Sequence, residues 1–162
     1  MPLVLGIDPG LASTGYGIID AADSRMRWID HGVIRTPSSE RPGRRLARIA
    51  SHLRELIGGY QLEMAGIESL YFTRNVSSAI PVAQARGVVL LVLEEAGIPA
   101  EEFTPQIIKQ AVVGAGQAEK EQVAQMVRVV LGLGEAPRPD HAADALAAAI
   151  TRWNTSEAPH VQ

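Results

Sequence analysis

Leu3-Val4-Leu5-Gly6-Ile7-Asp8-Pro9-Gly10 is the stretch on which the fold turns. Leu3 to Ile7 is short and almost uniformly apolar. A run of this kind fits a central strand covered on both faces, whereas a half-exposed strand alternates apolar and polar residues. The run ends in an acid followed by Pro9-Gly10, a pair that favours a turn. Gly15 to Asp20 reads as a second strand, and the intervening Pro9 to Thr14 is short enough to close a hairpin. Trp28 to Arg35 reads as a third strand, entered from a turn at Ala22-Asp23-Ser24. Three strands with tight connections predict an antiparallel meander.

Beyond the meander the apolar period changes. Pro42 to Ile57 carries Leu46, Ile49, Ala50, Leu53 and Ile57 at helical spacing, with Gly58-Gly59 as a stop. Met64 to Ile67 is a short apolar strand ending at Glu68. Ser77 or Ser78 can cap a helix running to Glu95, with Gly97 beyond it. Its second half, Gly87 to Leu93, is apolar all round, so both of its faces are expected to be covered. A strand over Glu102 to Thr104 and helices over Pro105 to Val112, Glu119 to Leu131 and Asp140 to Trp153 complete the reading. The predicted architecture is α/β: a mixed five-stranded sheet, three antiparallel strands followed by parallel ones, flanked by helices. One domain spans residues 1–153, and the polar residues 154–162 are expected to form a frayed tail.

Composition narrows the chemistry. Hydrophobic residues make up 46% and charged residues 20% of 162 positions, which is ordinary globular usage. There is no cysteine, so disulfides and thiolate metal sites are excluded and a metal must be held by oxygen or imidazole. No 18-residue stretch is uniformly apolar and the N-terminus lacks a signal-peptide pattern, so a cytoplasmic protein with no membrane partner is expected. The formal net charge of -3 argues against a uniformly basic nucleic-acid binder. Its distribution is uneven, however: Arg35, Arg41, Arg44, Arg45, Arg48 and Arg54 stand against a single acid, Glu40.

Three carboxylate positions stand out. Asp8 and Glu68 each end a predicted strand, and Asp140, His141 and Asp144 open the last helix. Spacings of three and four residues place His141, Asp144 and Asp140 on neighbouring parts of one helical face. If the strands ending in Asp8 and Glu68 are parallel neighbours, the two acids emerge side by side, and the last helix can bring His141 and Asp144 against them. Carboxylates gathered in this way repel one another and call for a cation. Mg²⁺ suits such a site, since it binds one or two carboxylates together with substrate phosphate. Two ions can clamp the attacking and leaving oxygens of a phosphodiester displacement.

The sequence resembles the bacterial RuvC family over residues 3 to 153. Leu5-Gly6-Ile7-Asp8-Pro9-Gly10 with Thr14-Gly15-Tyr16-Gly17 is similar to its first motif. Ala65-Gly66-Ile67-Glu68 with Asn75 and Ala79 is similar to its second. Gln84-Ala85-Arg86-Gly87, Lys109 to Gly114, Ala118-Glu119-Lys120 and Ala142 to Ala147 resemble four further blocks, in order and at similar spacing. The resemblance implies an RNase H-like fold and a homodimeric Holliday-junction endonuclease making paired symmetric nicks in four-way DNA junctions. It also implies work alongside the RuvAB branch-migration complex.

Carried over by position, the resemblance implies metal ligation by Asp8, Glu68, Asp144 and His141, with two Mg²⁺ or Mn²⁺ ions per site. At the position of His141 many members have an acid, and Asp140 becomes its neighbour or a helix cap. Imidazole here leads to the expectation that Mn²⁺ serves at least as well as Mg²⁺. Lys120 is implied as catalytic, and Lys109 and Lys120 as phosphate contacts. Arg74, Asn75 and Arg86 are implied as strand contacts, and Tyr71 or Phe72 as a wedge at the junction centre. The helix from Ser78 to Glu95 is implied as the main dimer contact. Two other readings are a non-catalytic nucleic-acid binder of the same fold and a sugar-kinase-like ATP-binding fold. The first would lack the acids, and the second needs two related domains, for which the chain is too short.

Overall fold

In β1 the side chains alternate strictly: Val4, Gly6 and Asp8 face one side of the sheet, while Leu5 and Ile7 face the other. The computed structural model describes residues 2–22, 24–70 and 76–156. Its elements are β1 (Leu3–Asp8), β2 (Ser13–Asp20), β3 (Arg27–Arg35), α1 (Pro42–Gly58), β4 (Leu62–Glu68), α2 (Val76–Glu95), β5 (Ala100–Phe103), α3 (Pro105–Val113), α4 (Lys120–Leu131) and α5 (Asp140–Ser156). The strands form one sheet in the order β3-β2-β1-β4-β5. The first three pair antiparallel, and β4 and β5 join in parallel. α5 continues to Ser156, three residues into the stretch predicted as tail, and residues 157–162 lie outside the described residues.

Two cores sandwich the sheet. α1 and α2 cover Leu5, Ile7, Ile18, Ala65 and Ile67. α3, α4 and α5 cover Val4 and Ile19 from the other side. The expectation that α2 is covered on both faces is not met within one chain. Ala85, Val89, Val92 and Leu93 are buried, but Ile80 is 51% and Leu91 54% exposed on the outer side. Residues 77–95 are long and apolar enough to cross a membrane by length and composition alone. The buried inner face, together with Arg86 forked onto Glu102 of β5, marks α2 as a core helix.

The seating of α5 controls the end of the sheet at which β1 and β4 finish in Asp8 and Glu68. Gly6 of β1 lies in register with Gly17 of β2 and Gly66 of β4, a row of three glycines across adjacent strands. A Cβ on Gly6 would stand 1.7 Å from the Ala145 carbonyl oxygen, and one on Gly66 would stand 2.5 Å from that of Ala148. On Gly17 it would strike Leu146, and on Gly15 the carbonyl of His141. The helix side of this contact is equally small, with Ala142, Ala143, Ala145, Ala147, Ala148 and Ala149 all buried. Glycine in a strand costs conformational entropy, and close approach of another backbone is what such residues permit.

Gly6→Ala is therefore expected to destabilise by about 3 kcal/mol, since a rigid backbone must move. For a chain of this size that lowers Tm by roughly 10 °C. Gly43→Ala, where nothing lies within 4 Å of the added atom, should leave Tm unchanged or slightly raised. Thermal denaturation of the two variants checks the contrast.

Candidate metal centre

Asp8 and Glu68 occupy equivalent places on neighbouring parallel strands. β1 and β4 run in register from Val4↔Met64 to Ile7↔Ile67, so the next residue of each emerges at the same sheet edge. Both fall on the α5 face by the period-two alternation of their strands. The glycine row brings the first turns of α5 over this edge. The His141 Nδ1 atom lies 2.9 Å from Asp8 Oδ2. Donor atoms of Asp8, His141 and Asp144 all lie within 4.8 Å of one another, close enough to hold one cation. Glu68 stands outside that tight group but lines the same cavity, of about 320 Å³, with Asp8, Lys109, Lys120, His141 and Asp144.

Lys120 opens α4, whose start is fixed by the Glu119 N–H donating to the Gln122 side chain at 2.7 Å. A cation at a helix N-terminus opposes the helix dipole, so stability does not explain its place there. Its Nζ lies 3.5 Å from Asp144 Oδ2. Asp140 is the first residue of α5 and is exposed. The first-turn N–H groups of Ala142 and Ala143 donate to the Pro139 carbonyl.

Arg86, expected as a strand contact, is engaged by both oxygens of Glu102, one at 2.6 Å, and ties α2 to β5. Tyr71, Phe72, Arg74 and Asn75 lie outside the described residues. Leu70, Val82, Pro105 and Ile108, which form an apolar wall of the cavity, went unnoticed in the sequence. Nothing in their local pattern separates them from core residues.

Crowding and burial act on every acid in the cavity. Burial chiefly raises the Asp8 pKa, and the Asp144 charge adds to this, while the His141 hydrogen bond opposes it. Asp144 is also raised, by burial foremost, against the pull of Lys120. The Glu68 carboxyl is pushed up to about 8, first by burial and then by the charges of Asp8 and Asp144. Lys120 is raised in turn, mainly by Asp144. Three carboxyl groups that resist ionising together, with an imidazole aimed among them, suit a divalent cation with oxygen and nitrogen ligands.

This sheet order, with carboxylates ending β1 and β4 and a third arriving on α5, places the chain in the RNase H-like class. More narrowly, the chain belongs to the RuvC family: the profile described as Crossover junction endodeoxyribonuclease RuvC matches residues 4–152. A protein of that name from Treponema denticola is 52% identical over 161 residues, covering 99% of this chain and 90% of the relative. Another from Moorella thermoacetica is 51% identical over 148 residues, covering 91% and 89%. Among solved structures, T. thermophilus RuvC in complex with Holliday junction substrate superposes with a TM-score of 0.91 at 38% identity, covering 96% of this chain and 95% of the other. The yeast mitochondrial Holliday junction resolvase Ydc2, 18% identical over 94% of this chain and 80% of its own, shares the fold with a TM-score of 0.60.

The raised Glu68 pKa fixes the sign of a pH effect on the cation-free protein. Between the ordinary value near 4.5 and about 8 the folded state holds a proton that the unfolded state has released. Stability is therefore greatest below pH 4.5 on this account and falls as pH rises toward 8; the raised Asp8 and Asp144 carboxyls add in the same direction. In chelator, Tm is expected to fall across that window. Glu68→Gln should flatten the fall, and Mn²⁺ should reverse it at the alkaline end. A Glu68→Gln protein whose Tm tracks that of the unaltered chain across the window would contradict this assignment.

Proposed function

We propose that the chain is a Holliday-junction resolvase, a structure-specific endonuclease that hydrolyses phosphodiester bonds in four-way DNA junctions. The observation that carries the reading is the convergence of Asp8, His141 and Asp144 within 4.8 Å, beside Glu68 and two lysines, in a member of this family. Asp8, Glu68, His141 and Asp144 would hold Mg²⁺ or Mn²⁺, two ions per site. When bound, such ions supply Lewis acidity toward the phosphate and a water activated for attack. Glu68, whose pKa is pushed up to about 8, must give up its proton to bind a cation, so cation affinity should rise with pH. Lys109 and Lys120 draw the phosphate into the cavity, and Lys120 holds Asp144 in place.

Positive charge continues away from the cavity. Asp8 pairs with Gly15, which pairs with Val33, and Arg35 lies two residues further along β3. Arg35 thus sits two strand spacings, roughly 10 Å, to the side of β1 at the same end of the sheet. Arg35, Arg41 and Arg44 are exposed and make no ion pair among the described residues. Arg45 is bound to Thr36 and Arg48 to Glu40. Since Arg86 is occupied by Glu102, the free arginines are the better candidates for phosphate contacts along a junction arm. We assign Tyr71 or Phe72 the wedge role, and Arg74 and Asn75 strand contacts, on family position alone.

A homodimer supports this function, because a four-way junction has two-fold symmetry and requires two opposed cuts. The exposed side of α2, with Ile80 and Leu91, is the surface that a second copy would cover. Family membership supports the further reading that the chain cooperates with RuvAB branch migration and resides in the cytoplasm. A non-catalytic junction binder is disfavoured, since every acid the chemistry needs is in place.

With a synthetic four-way junction, paired nicks are expected in Mg²⁺, and in Mn²⁺ at least as fast. Asp8→Asn should keep junction affinity and reduce cutting to background; gel-shift and cleavage assays on the same preparation check both. Leu91→Glu should convert dimer to monomer in analytical ultracentrifugation and replace paired nicks by slow single ones. A variant that remains dimeric would move the interface elsewhere.

A further inference from the structure

His31 belongs to no motif, yet its imidazole makes two hydrogen bonds, one within β3 and one that joins β3 to the segment leading into α5. Trp28 Nε1 donates to His31 Nδ1 at 2.7 Å, and His31 Nε2 lies 3.0 Å from the Arg138 carbonyl oxygen. The indole N–H can only donate. His31 Nδ1 must therefore accept, which leaves the proton on Nε2, where it is donated to the Arg138 carbonyl. The Trp28 ring meets the imidazole edge-on, with centroids 5.7 Å apart and planes at 69°. One tautomer and one ring orientation satisfy all three contacts.

A break in strand register makes the contact possible. Residues 28 and 31 are an odd distance apart, so in a regular strand they would face opposite sides. The pairing slips between Ile18↔Asp30 and Ile19↔Trp28, leaving Ile29 without a partner. Such a bulge puts two successive residues on one side. Ile29 packs into the α1 core, and Asp30 accepts from the Tyr60 hydroxyl there. Trp28 and His31 are thereby both turned to the α5 face, where Gly17, the partner of His31, lies against Leu146.

The tethered segment is otherwise loosely held. Between Leu133 and Pro139, apart from the His31 contact, no hydrogen bond is made among the described residues, and only Pro137 is buried. Pro139 then accepts from the first-turn N–H groups of Ala142 and Ala143. Arg138 thus leads directly into the first turn of α5, which presents His141 to Asp8, and its tether acts on that turn together with the seat of the His141 carbonyl on Gly15.

We propose that His31, oriented by Trp28, is a positioning residue that sets the first turn of α5 and hence the affinity of the Asp8–His141–Asp144 group for a divalent cation. The proposal rests on the cation-site reading of those residues. Mn²⁺ binding to the full chain is measured directly, by electron paramagnetic resonance of the free ion, alongside junction affinity in chelator and Tm. His31→Phe is expected to weaken Mn²⁺ binding by about tenfold, the scale on which outer partners of metal ligands act, with junction affinity unchanged. Trp28→Phe, which keeps the ring but loses the donor, should weaken binding part of the way. His31→Gln, whose amide can accept from Trp28 and donate to Arg138, should restore it. Unaltered Mn²⁺ affinity in His31→Phe overturns the proposal, as does a His31→Gln variant as weak as His31→Phe. His141→Ala separates the levels. If it leaves Mn²⁺ affinity intact, the cation-site reading falls and this proposal with it. If it weakens Mn²⁺ while His31→Phe does not, the His31 tether alone is refuted.

Discussion

The backbone of α5 rests directly on Gly6, Gly15 and Gly66 of the sheet, and the arrangement of the site follows from that contact. With Gly17, Gly6 and Gly66 in one row, the helix approaches closer than any side chain would allow. The contact also has a register. The Ala145 carbonyl sits over Gly6, two residues before Asp8, so Asp144 is delivered to the strand's acidic end. A helix held only by interdigitating side chains could slide or tilt by a fraction of an ångström. One whose carbonyl meets bare Cα atoms has little such freedom. Positional precision at the candidate metal site is thus derived from the absence of side chains beneath α5.

The same placement creates an electrostatic cost that the fold does not relieve on its own. Asp8 is 7% exposed, and Glu68 and Asp144 share its cavity. Lys120 offsets part of the repulsion from an exposed position where water screens it. The remainder appears as carboxyl groups that keep protons they would ordinarily lose. The apolar wall of Leu70, Val82, Pro105 and Ile108 deepens the effect by excluding water from one side. A divalent cation would relieve that crowding, and the poorly hydrated setting would strengthen the field it exerted on a nearby phosphate.

Period and punctuation made most of this legible in the sequence. Asp8 and Glu68 each close a short apolar run, so two acids at parallel strand ends could be paired from the sequence alone. Helical spacing grouped His141 with Asp144. What stayed hidden depends on long-range packing. The partner of Arg86 is Glu102, sixteen residues away on β5, and no local pattern announces it. The apolar reading of Gly87 to Leu93 was sound as composition, but it could not tell a face buried within the chain from one left for a second copy. The bulge at Ile29 is equally silent, because its consequence lies in which face two side chains share. For Tyr71, Phe72, Arg74 and Asn75, which lie outside the described residues, the sequence remains the only guide.

Taken together, these contacts divide the site into a fixed part and an adjustable part. Asp8, Glu68 and Asp144 are set by strand pairing and by the glycine row, which involve backbone and change little short of unfolding. His141 is set by the first turn of α5, whose backbone rests on Gly15 at the His141 carbonyl and which follows an exposed segment tethered through His31. Half-exposed side-chain bonds of that kind open at far lower cost than a buried helix–sheet contact. The carboxyl groups can therefore hold their positions while the half-exposed His141 side chain adapts its distance to Asp8. Such a division would serve a cation site of the proposed kind, because the carboxyl groups stay in register with the sheet while one neighbouring side chain has room to adjust.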